Sequence, residues 1–196
     1  MKDVSPIKDL DDVGIIYRRL QKYGKHREAE LVMLGCNVAL RISDLLNLRF
    51  DDIEESDVDG QLIGNVELGE KKTRKSKKLT INSRGMKSVH RLRELHPEAV
   101  YLFQSSGNRT KGMNKPVSRQ YISKLLIEVR ESLSLSYRLN THSFRKTFGY
   151  HAYKNGTDIH VLQKLFNHSS SRETLLYIGI GDEDIRDVYL NINIGL

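Results

Sequence analysis

Residues 141–177, THSFRKTFGYHAYKNGTDIHVLQKLFNHSSSRETLLY, set two cations, His142 and Arg145, three positions apart, add a second histidine at His168, and close on Tyr177. Side chains three apart on a helix share a face, so His142 and Arg145 can reach one ligand. Gly156 is a natural C-terminal stop for the helix that carries them, and Thr157 an N-cap for the next. Ile159, Leu162, Leu165 and Phe166 recur at helical spacing and predict a short helix with that side on the core. Ser170 and Glu173 have the spacing of a capping box, which opens a further helix with Tyr177 about two turns in.

A phosphodiester under attack gathers negative charge on its non-bridging oxygens. The planar fork of arginine matches those oxygens, and histidine can donate to them or move a proton. A tyrosine hydroxyl, with an unperturbed pKa of about 10, becomes a nucleophile where cations lower the cost of the phenolate. Singly, these residues read as a core tyrosine, a surface arginine and satisfied histidines. As an ordered set they read as a phosphodiester site.

The set resembles the second block of the tyrosine recombinases, the phage-type integrases: His-x-x-Arg, a short helix, a loop histidine followed by Ser-Ser, then Tyr. His142-Ser-Phe-Arg145, Asn167-His168-Ser169-Ser170 and Tyr177 fill those places. The family's first block, a hydrophobic helix ending in a Leu-Arg-Ile-Ser-Glu-Leu-like string, is matched by Leu40-Arg41-Ile42-Ser43-Asp44-Leu45-Leu46. Two positions depart from the pattern. Asn167 replaces a usual Gly, a mild change because Asn tolerates left-handed backbone, and Val38-Ala39 replaces a usual Thr-Gly.

With 196 residues and 38% hydrophobic content, the chain suffices for one compact domain, and no apolar run approaches the ~20 residues of a membrane helix. The polar start MKDVSPIKDLDD predicts no signal peptide. A single cysteine, Cys36, cannot form an internal disulfide and suits a reducing cytoplasm. A net charge of +7 and a pI of about 9.4 point to a polyanionic partner.

Asp9–Tyr23 reads as a helix with Leu10, Val13, Ile16, Tyr17 and Leu20 on one side, ended by Gly24. A second helix is predicted from His26 to Asn37, with Leu31, Leu34 and Val38 inward, and Ser43 is placed to cap Asp44–Leu48. Arg41 then stands just ahead of a helix N-terminus, where an anion is favoured. Phe50–Ile53, Leu62–Leu68 and Lys77–Asn82 read as strands, with Asp57–Gly60 a turn and residues 70–76 a basic hairpin tip. Ser83 is placed to cap a helix through Leu95 that Pro97 ends, followed by a buried segment at Val100–Phe103 and a basic loop at Gly107–Met113. Ser118 caps a helix through Leu133 with Ile122, Leu125, Leu126 and Val129 inward, and Asp182–Asn191 reads as the last helix.

The resemblance implies a mainly α fold with a small antiparallel β-sheet (α+β), one catalytic domain over residues 1–196 without an N-terminal core-binding clamp. It implies site-specific DNA cleavage and rejoining through a 3′-phosphotyrosyl bond at Tyr177. Arg41, Arg145 and His168 then stabilise the transition state, His142 assists proton transfer, and Asp44 supports the site or caps its own helix. A hairpin lysine, Lys72 with Lys71 and Lys75 as competitors, protonates the leaving 5′ oxygen. Lys71, Arg74, Lys75, Lys77, Lys78, Arg119, Gln120 and Lys124 form the DNA footprint. No cofactor or metal is implied. The implied partners are double-stranded recombination sites and other copies of the chain, a tetramer on DNA, with the apolar tail Ile192, Ile194 and Leu196 docking on a neighbour. A phage or mobile element in the cytoplasm of a bacterial host, associated with the nucleoid, is the implied setting. Three rivals stand beside this: type IB topoisomerase-like relaxation, a DNA-binding module without catalysis, and a zinc site from His142, His151, His160 and His168, which lacks a recognisable ligand spacing.

Overall fold

The computed structural model describes residues 4–69, 76–107, 113–192 and 194–195. Helix α1 (Leu10–Lys22) starts where the Asp9 side chain accepts from the Asp11 N–H at 2.9 Å. Val13, Ile16 and Leu20 face the core as expected, whereas Leu10, in the first turn, is 64% exposed. Helix α2 (His26–Asn37) has the predicted bounds but is buried from Glu28 through Gly35, because α1, α4 and α6 all pack on it. Its two buried carboxylates have partners: Glu28 meets Arg27 and the Tyr121 hydroxyl, and Glu30 accepts from the Tyr17 hydroxyl at 2.5 Å.

Helix α3 (Ile42–Leu46) begins earlier than Ser43 suggests. Arg41 itself occupies the N-cap place, and the Ser43 hydroxyl donates to Asp44 at 3.2 Å. Phe50–Asp52 is a 3₁₀ turn rather than a strand, because the Asp52 carboxylate accepts from the Arg49 N–H at 2.9 Å and curls the backbone. Strands β1 (Ile53–Val58), β2 (Gln61–Gly69) and β3 (Ser76–Ile81) make one antiparallel sheet in that order, with Ile53 opposite Val66 and Val66 opposite Leu79. The first hairpin turns in two residues, Asp59 and Gly60, so β1 runs on to Val58. The tip with Lys71, Lys72, Arg74 and Lys75 lies outside the described residues.

Helix α4 (Ser83–Leu95) is capped by Asn82, whose side chain accepts from Gly85 N at 2.8 Å, and not by Ser83. It packs between α2 and the sheet. The Val100–Phe103 segment is tied down by the Leu102 N–H on the Leu48 carbonyl at 3.0 Å. Much of the loop expected at Gly107–Met113, residues 108–112, lies outside the described residues. Helix α5 (Arg119–Ser132) carries the Ser118 cap and the four inward residues that its periodicity predicts.

Helices α6 (Thr141–Lys154), α7 (Ile159–Phe166), α8 (Ser171–Ile178) and α9 (Asp182–Asn191) complete the chain. Gly156 ends α6 with φ +87°, but the cap of α7 is Asp158, one residue beyond Thr157, accepting from His160 N at 2.7 Å. The main core joins α1, α2, α4, α5 and the sheet, whereas Ala39, Leu162, Phe166 and Ile178 form a separate small core. That second core underlies α6, α7 and α8. The fold class is the expected one, mainly helical with a small antiparallel sheet. No helix among the described residues is long and apolar enough to cross a membrane.

Candidate active site

Arg145 is 4% exposed and ties three parts of the chain together. One guanidinium nitrogen donates to the Ala39 carbonyl in the turn before Arg41, and the other to the Phe166 carbonyl at the end of α7 at 3.1 Å. The guanidinium also lies over the Phe166 ring, 4.6 Å from its centroid. Ala39 therefore serves the site with its carbonyl, which a residue of any type in that turn would supply.

Tyr177, near the end of α8, reaches back to the same place. Its ring is 5.4 Å from Phe166 and 4.9 Å from His168, edge-on to the imidazole at 74°. Burial pushes its phenol above the ordinary value, and the charges of Arg145 and Arg41 oppose that rise. Burial lowers Arg145, against the pull of Tyr177.

The surroundings of both histidines favour the neutral form. The Thr174 hydroxyl donates its one proton to the Ser170 carbonyl at 3.1 Å, so it accepts from His168 Nδ1, also at 3.1 Å. His168 then carries a lone pair on Nε2. Burial lowers its pKa, Arg145 and Arg41 add to that, and Glu173 opposes it. Burial likewise lowers His142, helped by Arg119, Lys146, Arg145 and Arg41. A guanidinium can only donate, so Arg119 Nη2, 3.4 Å from His142 Nε2, fixes the proton of His142 on Nδ1.

Arg41 is exposed at the N-cap of α3, its charge felt by Arg145, His142, His168 and Tyr177. The structure thus brings Arg41, His142, Arg145, His168 and Tyr177 into one cluster, with Asp44 close enough to act on Arg145. A model of the phage integrase family matches residues 10–183. The chain belongs to that family.

Among its relatives, the probable integrase/recombinase YoeC of Bacillus subtilis (strain 168) is 34% identical over 189 residues, covering 96% of this chain and 97% of that protein. A probable integrase/recombinase of Acholeplasma phage L2 is 29% identical over 162 residues, which are 83% of this chain and 52% of that one. This chain therefore spans about half the length of the phage relative. In fold it superposes on XerA recombinase with a TM-score of 0.72 at 21% identity, covering 97% of this chain and 65% of that one. A post-cleavage complex of XerH with a palindromic difH substrate gives 0.69 at 15% identity, covering 93% and 51%. The integrase family carries out site-specific DNA strand cleavage and rejoining, and this chain is an enzyme of that class.

Departures from the family pattern have simple explanations in this integrase. Asn167 adopts φ 56° and ψ 48°, the left-handed conformation that its place before His168 requires. The Ser170 hydroxyl accepts from Glu173 N at 3.1 Å, but Glu173 reaches back to Ser169 at 2.8 Å rather than closing the expected box. Of the expected DNA footprint, Arg119 stands beside His142, Gln120 and Lys124 are exposed along α5, and Lys78 is exposed on β3 opposite Glu67. Lys77 lies in β3 opposite Leu68. The histidines of the zinc reading are dispersed. His151 donates to the Ile7 carbonyl at 2.9 Å, and His160 meets the Ser171 hydroxyl at 3.2 Å. Among the described residues no three His, Cys, Asp or Glu side chains converge as a metal site.

Two residues close to the integrase site escaped the sequence reading. Thr174 is wholly buried and orients His168, three residues ahead of Tyr177 on its helix, a placement that only the folded loop reveals. Lys146 is 7% exposed and holds its ammonium 5.1 Å from the centre of the Tyr177 ring. Its spacing of four from His142, a shared helical face, was the available signal.

Proposed function

We propose that this integrase breaks and rejoins DNA at specific sites with Tyr177 as the nucleophile. The single observation that carries the assignment is the setting of Tyr177: a buried phenol edge-on to a neutral histidine at 4.9 Å and under the charges of Arg145 and Arg41. In the forward step the phenolic proton passes to His168, whose lone pair is on Nε2, rather than to His142, the proton carrier that the resemblance implies. The Tyr177 oxygen bonds to phosphorus, the bond from phosphorus to the 5′ oxygen breaks, and that oxygen takes a proton. By resemblance to the family the proton comes from Lys72. Arg41 and the remaining N–H groups of Arg145 neutralise charge on the non-bridging oxygens, which is where preorganised donors act most strongly. His142, steadied by Arg119, donates to the same phosphate through Nδ1–H. Reversal of these steps by a new 5′ hydroxyl reseals the strand with no outside energy.

DNA is the partner, supported by the +7 charge, by the exposed cations of α5, and by the XerH relative seen on difH DNA. Assembly of several copies on paired sites is supported by the apolar surface of α9 and the tail, where Tyr189 is 82% and Ile194 94% exposed. The test is a nicked duplex drawn from the DNA beside the gene. Wild-type protein should form a denaturant-resistant adduct, Tyr177→Phe should bind without forming one, and pairs of sites should yield recombinants. Relaxation of supercoils with no joining between sites would instead favour the topoisomerase-like alternative.

A further inference from the structure

Lys146 is a buried cation that the steps above leave without a task. An ammonium held away from water is costly unless something nearby gains from its charge. Its Nζ donates to the Val4 carbonyl at 2.7 Å and stands 5.1 Å from the Tyr177 ring centroid. The segment that supplies this carbonyl is itself fastened to the site. The Ile7 N–H donates to the Thr147 hydroxyl at 2.8 Å, and the Ile7 carbonyl accepts from His151 at 2.9 Å. Pro6 lies against Gly179, directly after the Tyr177 helix, so closely that a Cβ there would come within 2.8 Å of its ring. Residues 4–7 thus run as a strap from α6 to the end of α8, with Lys146 clasped between strap and nucleophile.

We propose that Lys146 is a positioning residue for Tyr177, its ammonium holding the ring in place for attack and favouring the phenolate that attacks. This inference rests on Tyr177 being the nucleophile. A cation against a ring face is attracted by the neutral phenol, and more strongly by a phenolate, whose charge spreads over the ring. The charged and titratable groups facing Tyr177 are Arg145 and Lys146 from α6, Arg41 from the turn ahead of α3, and His168 from the loop ahead of α8. Lys146 also faces His142, one turn away on its own helix. Arg145 has two of its nitrogens on backbone carbonyls. Lys146 supplies charge to the ring from a separate anchor.

Three variants separate charge from anchoring. Lys146→Gln keeps a donor for the Val4 carbonyl without the charge, Lys146→Met removes both, and Lys146→Arg keeps both. The readout is single-turnover covalent attachment to a nicked duplex that the wild-type protein cleaves, followed between about pH 6.5 and 9.5, a range chosen to bracket neutral pH and approach the phenol's ordinary value. At pH 7 the Gln and Met variants should attach about tenfold more slowly, the equivalent of one unit in phenol acidity. Because burial holds the phenol above its ordinary value, this whole range lies below it, so the deficit should stay near tenfold while Arg keeps close to the wild-type rate throughout. Wild-type behaviour of Lys146→Gln would overturn the inference and leave only the anchoring bond. So would a Lys146→Arg variant as slow as the Gln and Met variants. If Lys146→Met fails to fold, the Gln and Arg variants decide the matter by themselves. Absence of attachment by the wild-type protein would overturn the nucleophile assignment, and this inference with it.

Discussion

At the residue scale the two arginines divide structural and chemical duty unequally. Arg145 joins the Ala39 and Phe166 carbonyls and is buried, whereas Arg41 stands in solvent at the N-cap of α3. Arg41→Ala should therefore fold normally and slow covalent attachment by about 100-fold or more, the usual cost of losing one preorganised donor. Arg145→Ala should do the same and also destabilise the fold by about 2–4 kcal/mol, because two buried carbonyls lose their donor. Urea unfolding compared with adduct formation separates the two, and equal stability of both variants would refute the division. The histidines add a pH dependence. His142 and His168 both titrate below their ordinary 6.5, so near that pH the unfolded chain binds more protons than the folded one. The stability linked to their neutral state is complete above about pH 6.5 and is lost as pH falls through the depressed folded values. The urea midpoint should drop between about pH 7 and 5, the range bracketing a free imidazole. The fall should be shallower in a His142→Asn, His168→Asn double variant. An unchanged slope in that variant would assign the acid sensitivity to the carboxylates.

At the scale of elements, Tyr177, the proposed nucleophile, is placed by the contact of α6 with α7 and α8. Gly149 allows it: a Cβ there would lie 2.6 Å from Ile178 Cγ2 and 2.7 Å from the Phe166 ring. Gly149→Ala should cost about 1–3 kcal/mol through overpacking and, by shifting α8, reduce adduct formation more than it reduces DNA binding. Full activity with ordinary stability would mean that α8 is free to adjust. Helices were legible in the sequence where apolar periodicity and a good cap coincide, as in α5, which Ser118 caps and whose Ile122, Leu125, Leu126 and Val129 all face inward. Caps were misread where two candidates adjoin: Asn82 prevails over Ser83 and Asp158 over Thr157, each one residue away. The strand expected at Phe50 failed because a local bond from Asp52 outcompetes an extended backbone. That Arg41, His142, Arg145, His168 and Tyr177 gather in one place was legible from spacing and resemblance together. Thr174 and Lys146 were not, because their roles depend on contacts across the α7–α8 loop and with residue 4.

At the scale of the whole molecule, a basic chain presents the cluster around Tyr177 beside the cations of α5, while α9 and the tail expose Val188, Tyr189, Leu190, Ile192 and Ile194. Ile192→Ser with Ile194→Ser should leave cleavage by single copies nearly unchanged but abolish cooperative binding to paired sites and strand exchange. Band-shift titration on one and two sites checks this, and unchanged cooperativity would place the contact between copies elsewhere. The account as a whole stands on the chemistry of Tyr177, which one measurement addresses directly. Cleavage after Arg172 and Arg186 releases residues 173–186, ETLLYIGIGDEDIR, whose one tyrosine is Tyr177. Mass spectrometry of the nuclease-trimmed adduct should find a 3′-linked nucleotide on that tyrosine. A nucleotide on any other residue, or one joined through its 5′ phosphate, would contradict the account.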